Sequence, residues 1–367
     1  MLKKNISGGH GKVKRMIKVL IVDDSAVMRK ILTEELSKYN DIEIIGTAVD
    51  PYIARDKIVQ LCPDVITLDL EMPRMDGLSF LAKLMKYYPV PVVVLSSFTP
   101  NNSENALRAL ELGAVEAICK PGSAYAARDI SRRLVHAIRA AASSRIVGLE
   151  QSATAPAIGQ LKNLHVQTAD KVIAIGASTG GTKAIETVLM SLPENTPGIL
   201  IVQHMPANFT HAYAERLNKM CSLEVREAKD YDHVRPGTAL IAPGDRHMML
   251  SQSKEKNVVK IKEGPPVHYQ RPSVDVLFQS VARCVGENAI GILLTGMGTD
   301  GAKGMLALYE RGAYTIAQDE ESCVVFGMPR EAIKLGAVDE VVSLQEIPRT
   351  IIEALDNPRR KPRKKRL

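Results

Sequence analysis

Residues 171–192 read Lys-Val-Ile-Ala-Ile-Gly-Ala-Ser-Thr-Gly-Gly-Thr-Lys-Ala-Ile-Glu-Thr-Val-Leu-Met-Ser-Leu. A short apolar run passes through a serine set among glycines into a run of helical period. That is strand, turn, helix, the repeating unit of a parallel α/β sheet. Three readings of the turn are open on this stretch alone. Ser178 can cap the helix. The glycines can cradle a phosphate at the helix N-terminus. Or residues 176–180, which fit G-x-S-x-G, can form a nucleophile elbow.

The alternation continues outward on both sides. Candidate strands at 17–24, 42–49, 64–70, 91–97 and 115–120 are separated by helical patterns, and a last helix ends near 142. Five such units predict a parallel sheet covered on both faces. Residues 143–169 lose the pattern and read as a linker. Strands then recur at 171–178, 198–204, 223–228, 238–244, 289–296 and 313–319, with a hairpin at 247–262. Helical patterns fall at 182–192, 208–220, 274–286, 301–311 and 344–355. The predicted organisation is a leader (1–15), a first domain (16–142), the linker, a second domain (170–355) and a tail (356–367). The predicted fold class is α/β, with two doubly wound, mainly parallel sheets.

The chain has 367 residues and five scattered cysteines without C-x-x-C spacing. That pattern points to reduced thiols in the cytoplasm, not to disulfides or zinc. No apolar run nears the ~18 residues a membrane span needs, and the N-terminus has no signal-peptide core. The formal charge is +7, yet residues 359–367 carry seven basic side chains and no acid, so the remainder sums to zero. No sequence-specific nucleic-acid binding is expected. The tail is read as a solvated appendage, with anionic lipid or nucleic acid as the other contact it could make.

Asp23 and Asp24 end the first strand, Asp69 the third and Ser96 the fourth, and Lys120 ends the fifth. Such strand ends meet at one sheet edge, where ligands bind. Three clustered carboxylates repel unless a cation joins them, and an all-oxygen set suits Mg²⁺. A hydroxyl and an ammonium beside them make a place for a phosphoryl group, with a carboxylate as nucleophile. The motifs VLIVDDS, DVITLDLEMPRMDG, VVVLSS and CKP resemble the response-regulator receiver family, of flavodoxin-like fold, over about 17–140. The resemblance implies Asp69 as phosphoacceptor, Asp23 and Asp24 with it as metal ligands, and Ser96 and Lys120 as switch residues. It also implies Mg²⁺ for phosphorylation and a histidine kinase as phosphodonor. Receivers often carry an aromatic three residues before the lysine. Here Ala117 stands there, so a Tyr-type rotamer switch is not expected.

A nucleophilic Ser178 needs a base and an orienting acid. His204 ends the strand after the one that leads into Ser178. His211, His233, His247 and His268 fall in a helix, loops or the hairpin. Asp300 lies in a glycine-rich turn after 289–296, with Asp319 as a spare acid. The order Ser178, His204, Asp300 is not the Ser–acid–His order of an α/β-hydrolase. The dinucleotide fingerprint G-x-G-x-x-G is also unmatched.

The motifs IGASTGGTKAI, VQHMP, IAPG, RPSVDVLF, LLTGMGTDGAKG and GMPREAI resemble the catalytic domain of the chemotaxis protein-glutamate methylesterase (CheB) family over about 170–355, a Rossmann-like α/β domain. The resemblance implies Ser178 as nucleophile, His204 as base, Asp300 as orienting acid and the backbone N–H groups of Thr179 and Met297 as oxyanion hole. It implies no cofactor for ester cleavage. The substrates would be glutamyl methyl esters, and glutamine amides, on chemoreceptor cytoplasmic helices. The resting receiver would cover the active-site mouth. Two rivals remain: a receiver-controlled hydrolase of another ester or amide, and a non-catalytic, phosphorylation-dependent binding regulator.

Overall fold

The computed structural model describes residues 15–72, 75–97, 100–120, 127–144, 170–207, 209–253 and 256–356. The expected leader up to 14, the linker from 145 and the basic tail from 357 lie outside the described residues.

The first sheet is built from β1 (Ile17–Val22), β2 (Ile42–Ala48), β3 (Val65–Asp69), β4 (Val92–Ser96) and β5 (Glu116–Cys119). Helices α1 (Ala26–Leu36), α2 (Pro51–Leu61), α3 (Gly77–Tyr87), α4 (Pro100–Glu111) and α5 (Ala127–Ser143) connect or follow them. The strand order is β2-β1-β3-β4-β5, parallel throughout. β3 and β4 are buried along their whole length. A sheet covered on both faces needs such continuous apolar runs. Capping side chains fix the helix starts. Ser25 accepts from the Met28 amide, Asp50 from those of Tyr52 and Ile53, and Asp76 from that of Ser79. The chain leaves β1 on one side for β2 and returns on the other for β3. The crevice at that reversal receives Asp23 and Asp69.

The second unit runs β6 (Val172–Ala177), α6 (Gly181–Met190), β7 (Gly198–Gln203), α7 (Phe209–Met220), β8 (Glu224–Glu227) and β9 (Thr238–Ile241). The hairpin β10 (His247–Ser253) and β11 (Lys256–Lys262) follows, then α8 (Val274–Cys284), β12 (Ala289–Leu293), α9 (Ala302–Glu310) and β13 (Tyr314–Gln318). α10 (Met328–Lys334), β14 (Glu340–Val342) and α11 (Ile347–Asp356) complete it. The sheet order is β14-β13-β12-β6-β7-β9-β8, again parallel, while β10 and β11 pair apart from it. The winding reverses between β6 and β12, so their carboxyl ends open onto one crevice. α10 and β14 were not foreseen, being too short to carry a periodic signal.

The two units share a buried apolar cluster in which Ala106 and Leu107 of α4 join Phe209 and Tyr213 of α7. Ion pairs rim the seam. Arg133 pairs with Asp245 at 3.1 Å, and Arg216 pairs with both Glu111 and Glu186.

β6 and α8 meet at close range. A Cβ on Gly176 would lie 2.2 Å from Val274 Cγ1. Gly176→Ala should therefore lower stability by about 1–3 kcal/mol, as overpacking does. An unchanged urea midpoint would show that the neighbouring helix gives way freely.

Candidate active site

Ser178 is fixed by its backbone. Its N–H donates to Thr295 O at 3.0 Å, and its carbonyl accepts from Gly181 N at 2.7 Å and Gln203 Nε2 at 2.8 Å. Gly180 holds the turn at φ +79° and sits at the α6 N-cap, where no side chain caps the helix. The capping role open to Ser178 in the sequence is thus not taken. Ser178 is 5% exposed and lines a small cavity together with His204.

His204 follows β7, and its amide donates to Ala177 O at 3.1 Å. Its Nε2 lies 2.8 Å from Asp300 Oδ2. Its Nδ1 is buried and has no hydrogen-bond partner. With the ring proton on the Asp300 side, Nδ1 is the basic nitrogen.

Asp300 sits against the N-terminus of α8. Besides His204, it accepts from Ser273 Oγ at 2.8 Å, Val274 N at 2.8 Å and Asp275 N at 3.0 Å. Burial alone would push its carboxyl up. The bonds from His204, Asp275 and Ser273 outweigh that and hold it below the usual carboxylate range. Asp319, the spare acid, spends its carboxylate on Ser322 N and Oγ. Among the described residues, the amides of Thr179 and Met297 donate no hydrogen bond. They flank the serine: Thr179 follows it, and Met297 follows Gly296, whose Cβ position would lie 2.7 Å from Ser178 Cβ.

In the first unit, carboxylate oxygens of Asp23, Asp24 and Asp69 lie within 4.8 Å of one another. Lys120 Nζ is 2.6 Å from Asp69 and 3.0 Å from Asp23. Burial raises the Asp69 carboxyl to about 6, against the hydrogen bond and charge of Lys120. Ser96, buried, ends β4 one step beyond Leu95, which pairs with Asp69. The oxygen-only donor set fits a hard divalent cation.

Two protein families match the chain. The CheB methylesterase family matches residues 173–351, and the response regulator receiver domain matches 19–130. A protein-glutamate methylesterase/protein-glutamine glutaminase 2 of Syntrophus aciditrophicus is 58% identical over 337 residues, covering 92% of this chain and 98% of that protein. The chain belongs to the CheB methylesterase family. A second member, a protein-glutamate methylesterase/protein-glutamine glutaminase of Salmonella typhimurium, is 54% identical, covering 90% of this chain and 95% of that protein. The crystal structure of the Thermotoga maritima CheB methylesterase catalytic domain is 40% identical, with a TM-score of 0.49, over 50% of this chain and 97% of that one.

In this CheB-family chain, the receiver lies over the serine. Leu110, Glu116 and Ala117 of the receiver join Ser178, Thr179 and His204 around a cavity of ≈ 30 Å³. The receiver residues narrow the space in front of the serine. A larger cavity of ≈ 440 Å³, lined by Met297, Phe326 and Arg330 among others, adjoins the Met297 side. The sequence singles out Ala117 for the aromatic it lacks, and the structure seats it against the cavity of Ser178 and His204. Three supporting residues escaped the sequence reading: Glu116, Gln203 and Ser273. Ser273 had a signal, since a serine just before an apolar helical run marks an N-cap. Gln203 and Glu116 lie within strand patterns that say nothing of chemistry.

The geometry predicts the resting tautomer. Nitrogen NMR of the imidazoles should place the His204 proton on Nε2, and Asp300→Asn should disturb that assignment. A proton on Nδ1 in the wild-type chain would contradict the arrangement.

Proposed function

We propose that this chain is a phosphorylation-controlled serine hydrolase that demethylates glutamyl methyl esters, and deamidates glutamines, on chemoreceptor cytoplasmic helices. The relatives' names supply the substrate class. The observation that carries the chemistry is His204, which lines the same cavity as Ser178, with one ring nitrogen committed to Asp300 and the other buried without a partner.

Ser178 Oγ attacks the ester carbonyl carbon while His204 Nδ1 takes its proton. Asp300 fixes the ring and stabilises the imidazolium, its own charge held by the α8 amides. The Thr179 and Met297 amides are placed to receive the oxyanion. The bond to the leaving group breaks, C–O in the ester or C–N in the amide, and methanol or ammonia departs with the proton from His204. Water, deprotonated by His204, then cleaves the acyl-enzyme and frees Ser178.

Control rests with the receiver. Asp23, Asp24 and Asp69 would hold Mg²⁺, which offsets the charge of an incoming phosphoryl group. Asp69 is the acceptor, a histidine kinase the donor, and Lys120 and Ser96 would contact the phosphoryl oxygens. In the unphosphorylated arrangement Leu110, Glu116 and Ala117 of the receiver line the cavity of Ser178, so turnover would require the seam to open. All five cysteines are free, and among the described residues no helix is long and apolar enough to cross a membrane. We place the chain in the cytoplasm, beside the receptor segments it acts on.

Methanol release from methylated receptor fragments tests the catalytic half. Ser178→Ala should abolish it in a folded protein. Asp300→Asn should lower it on the order of ten-thousand-fold by favouring the wrong tautomer. Near-normal turnover in Ser178→Ala would remove the nucleophile from this account. For the receiver, a small phosphodonor should label wild type only when Mg²⁺ is present and should fail to label Asp69→Asn. Label that survives chelation or the substitution would place the phosphate elsewhere.

A further inference from the structure

Glu116 opens β5, pairs with Val93 in the receiver sheet and turns its carboxylate across the seam. There it accepts a hydrogen bond from Thr179 Oγ1 at 2.8 Å. Thr179 is the residue after Ser178 and is 3% exposed. The receiver thus inserts a glutamate side chain into a cavity lined by the nucleophile and His204. A γ-carboxylate on that stem is chemically the product of glutamyl ester hydrolysis. An apolar plug would close the mouth equally well, but it would leave the Thr179 hydroxyl unpaired. Burial raises the Glu116 carboxyl, and the Thr179 bond and the nearby His204 oppose that rise.

Building on the methylesterase reading, we infer that the Thr179 hydroxyl recognises a side-chain carboxyl oxygen of the glutamyl substrate or product, and that Glu116 occupies this subsite in the closed chain as an internal product mimic. The receiver then inhibits by competition for a hydrogen-bonding position as well as by cover. β5 ties this contact to the phosphorylation site, because Lys120, which holds Asp69 and Asp23, follows the same strand.

The test is phosphonylation of Ser178 by a small fluorophosphonate in the unphosphorylated full chain. It is run with and without N-acetyl-isoglutamine, a blocked glutamate with a free side-chain carboxylate. Wild type should label slowly, with little response to the blocked glutamate. Glu116→Ala should label about tenfold faster, as loss of a charged hydrogen bond implies, and the blocked glutamate should now protect it. Glu116→Leu, which keeps bulk without the acid, should gain the same protection. Adding Thr179→Val to either should remove the protection, read as the ratio of that variant's labelling rates with and without the blocked glutamate. Faster labelling that ignores the blocked glutamate would make Glu116 a plain plug and overturn the inference, as would unchanged labelling. No labelling in any variant, even after phosphorylation, would overturn the hydrolase reading itself, a distinct result.

Discussion

The catalytic half depends on the place of one carboxylate. Asp300 is buried, and a buried charge survives only when it is fully paired. Here the imidazole of His204, the Ser273 hydroxyl and two amides of the first turn of α8 do this together. That requirement pins α8 against the sheet. Val274, whose amide serves Asp300, packs on Gly176 two residues before Ser178. His247 secures the same corner by accepting from the Ser273 amide at 3.2 Å. Ser178, His204 and Asp300 therefore share one framework, Ser178 and His204 just past the carboxyl ends of β6 and β7 and Asp300 in the turn between β12 and α9. Such preorganisation is what acyl transfer needs, because donors already in place cost nothing to reorient during reaction.

The seam between the halves has a different character. It combines an apolar contact, ion pairs at its rim and a part-buried acid-to-hydroxyl contact. The Arg133 and Asp245 side chains are about half exposed, and pairs of that kind contribute roughly 0–1 kcal/mol. An interface built this way can be strong enough to hold and weak enough to release. Phosphorylation can shift it only by its differential preference for the open form, and each tenfold change in rate needs only ~1.4 kcal/mol. A switch on β5 that loosens one or two contacts is sufficient in magnitude.

Much of this was legible in the sequence because parallel α/β sheets write their sites at strand ends. Asp69, Ser96, Ser178 and His204 each close a Val/Ile-rich run, so position alone gathered them. Asp300 was less secure, since Asp-Gly pairs are also ordinary turns. The structure separates it from Asp319 by what each carboxylate bonds. The supporting residues were hidden for physical reasons. Ser273 is distant from Ser178 in the chain and becomes relevant only when β12 docks beside β6. Glu116 belongs to another domain, and no local pattern reveals that its side chain crosses a seam. The sheet order, which brings the late strand β12 against the early strand β6, is likewise a long-range outcome that local periodicity does not encode.

The central claim is that the receiver must move off Ser178 before the esterase works. A chain carrying Arg133→Cys and Asp245→Cys, cross-linked across the rim of the seam, tests it directly. Methyl-ester hydrolysis is measured before and after phosphorylation of Asp69, in linked and unlinked samples. The account predicts that phosphorylation accelerates the unlinked chain and leaves the linked chain at its resting rate. A linked chain that phosphorylation activates as fully as the unlinked one would contradict it.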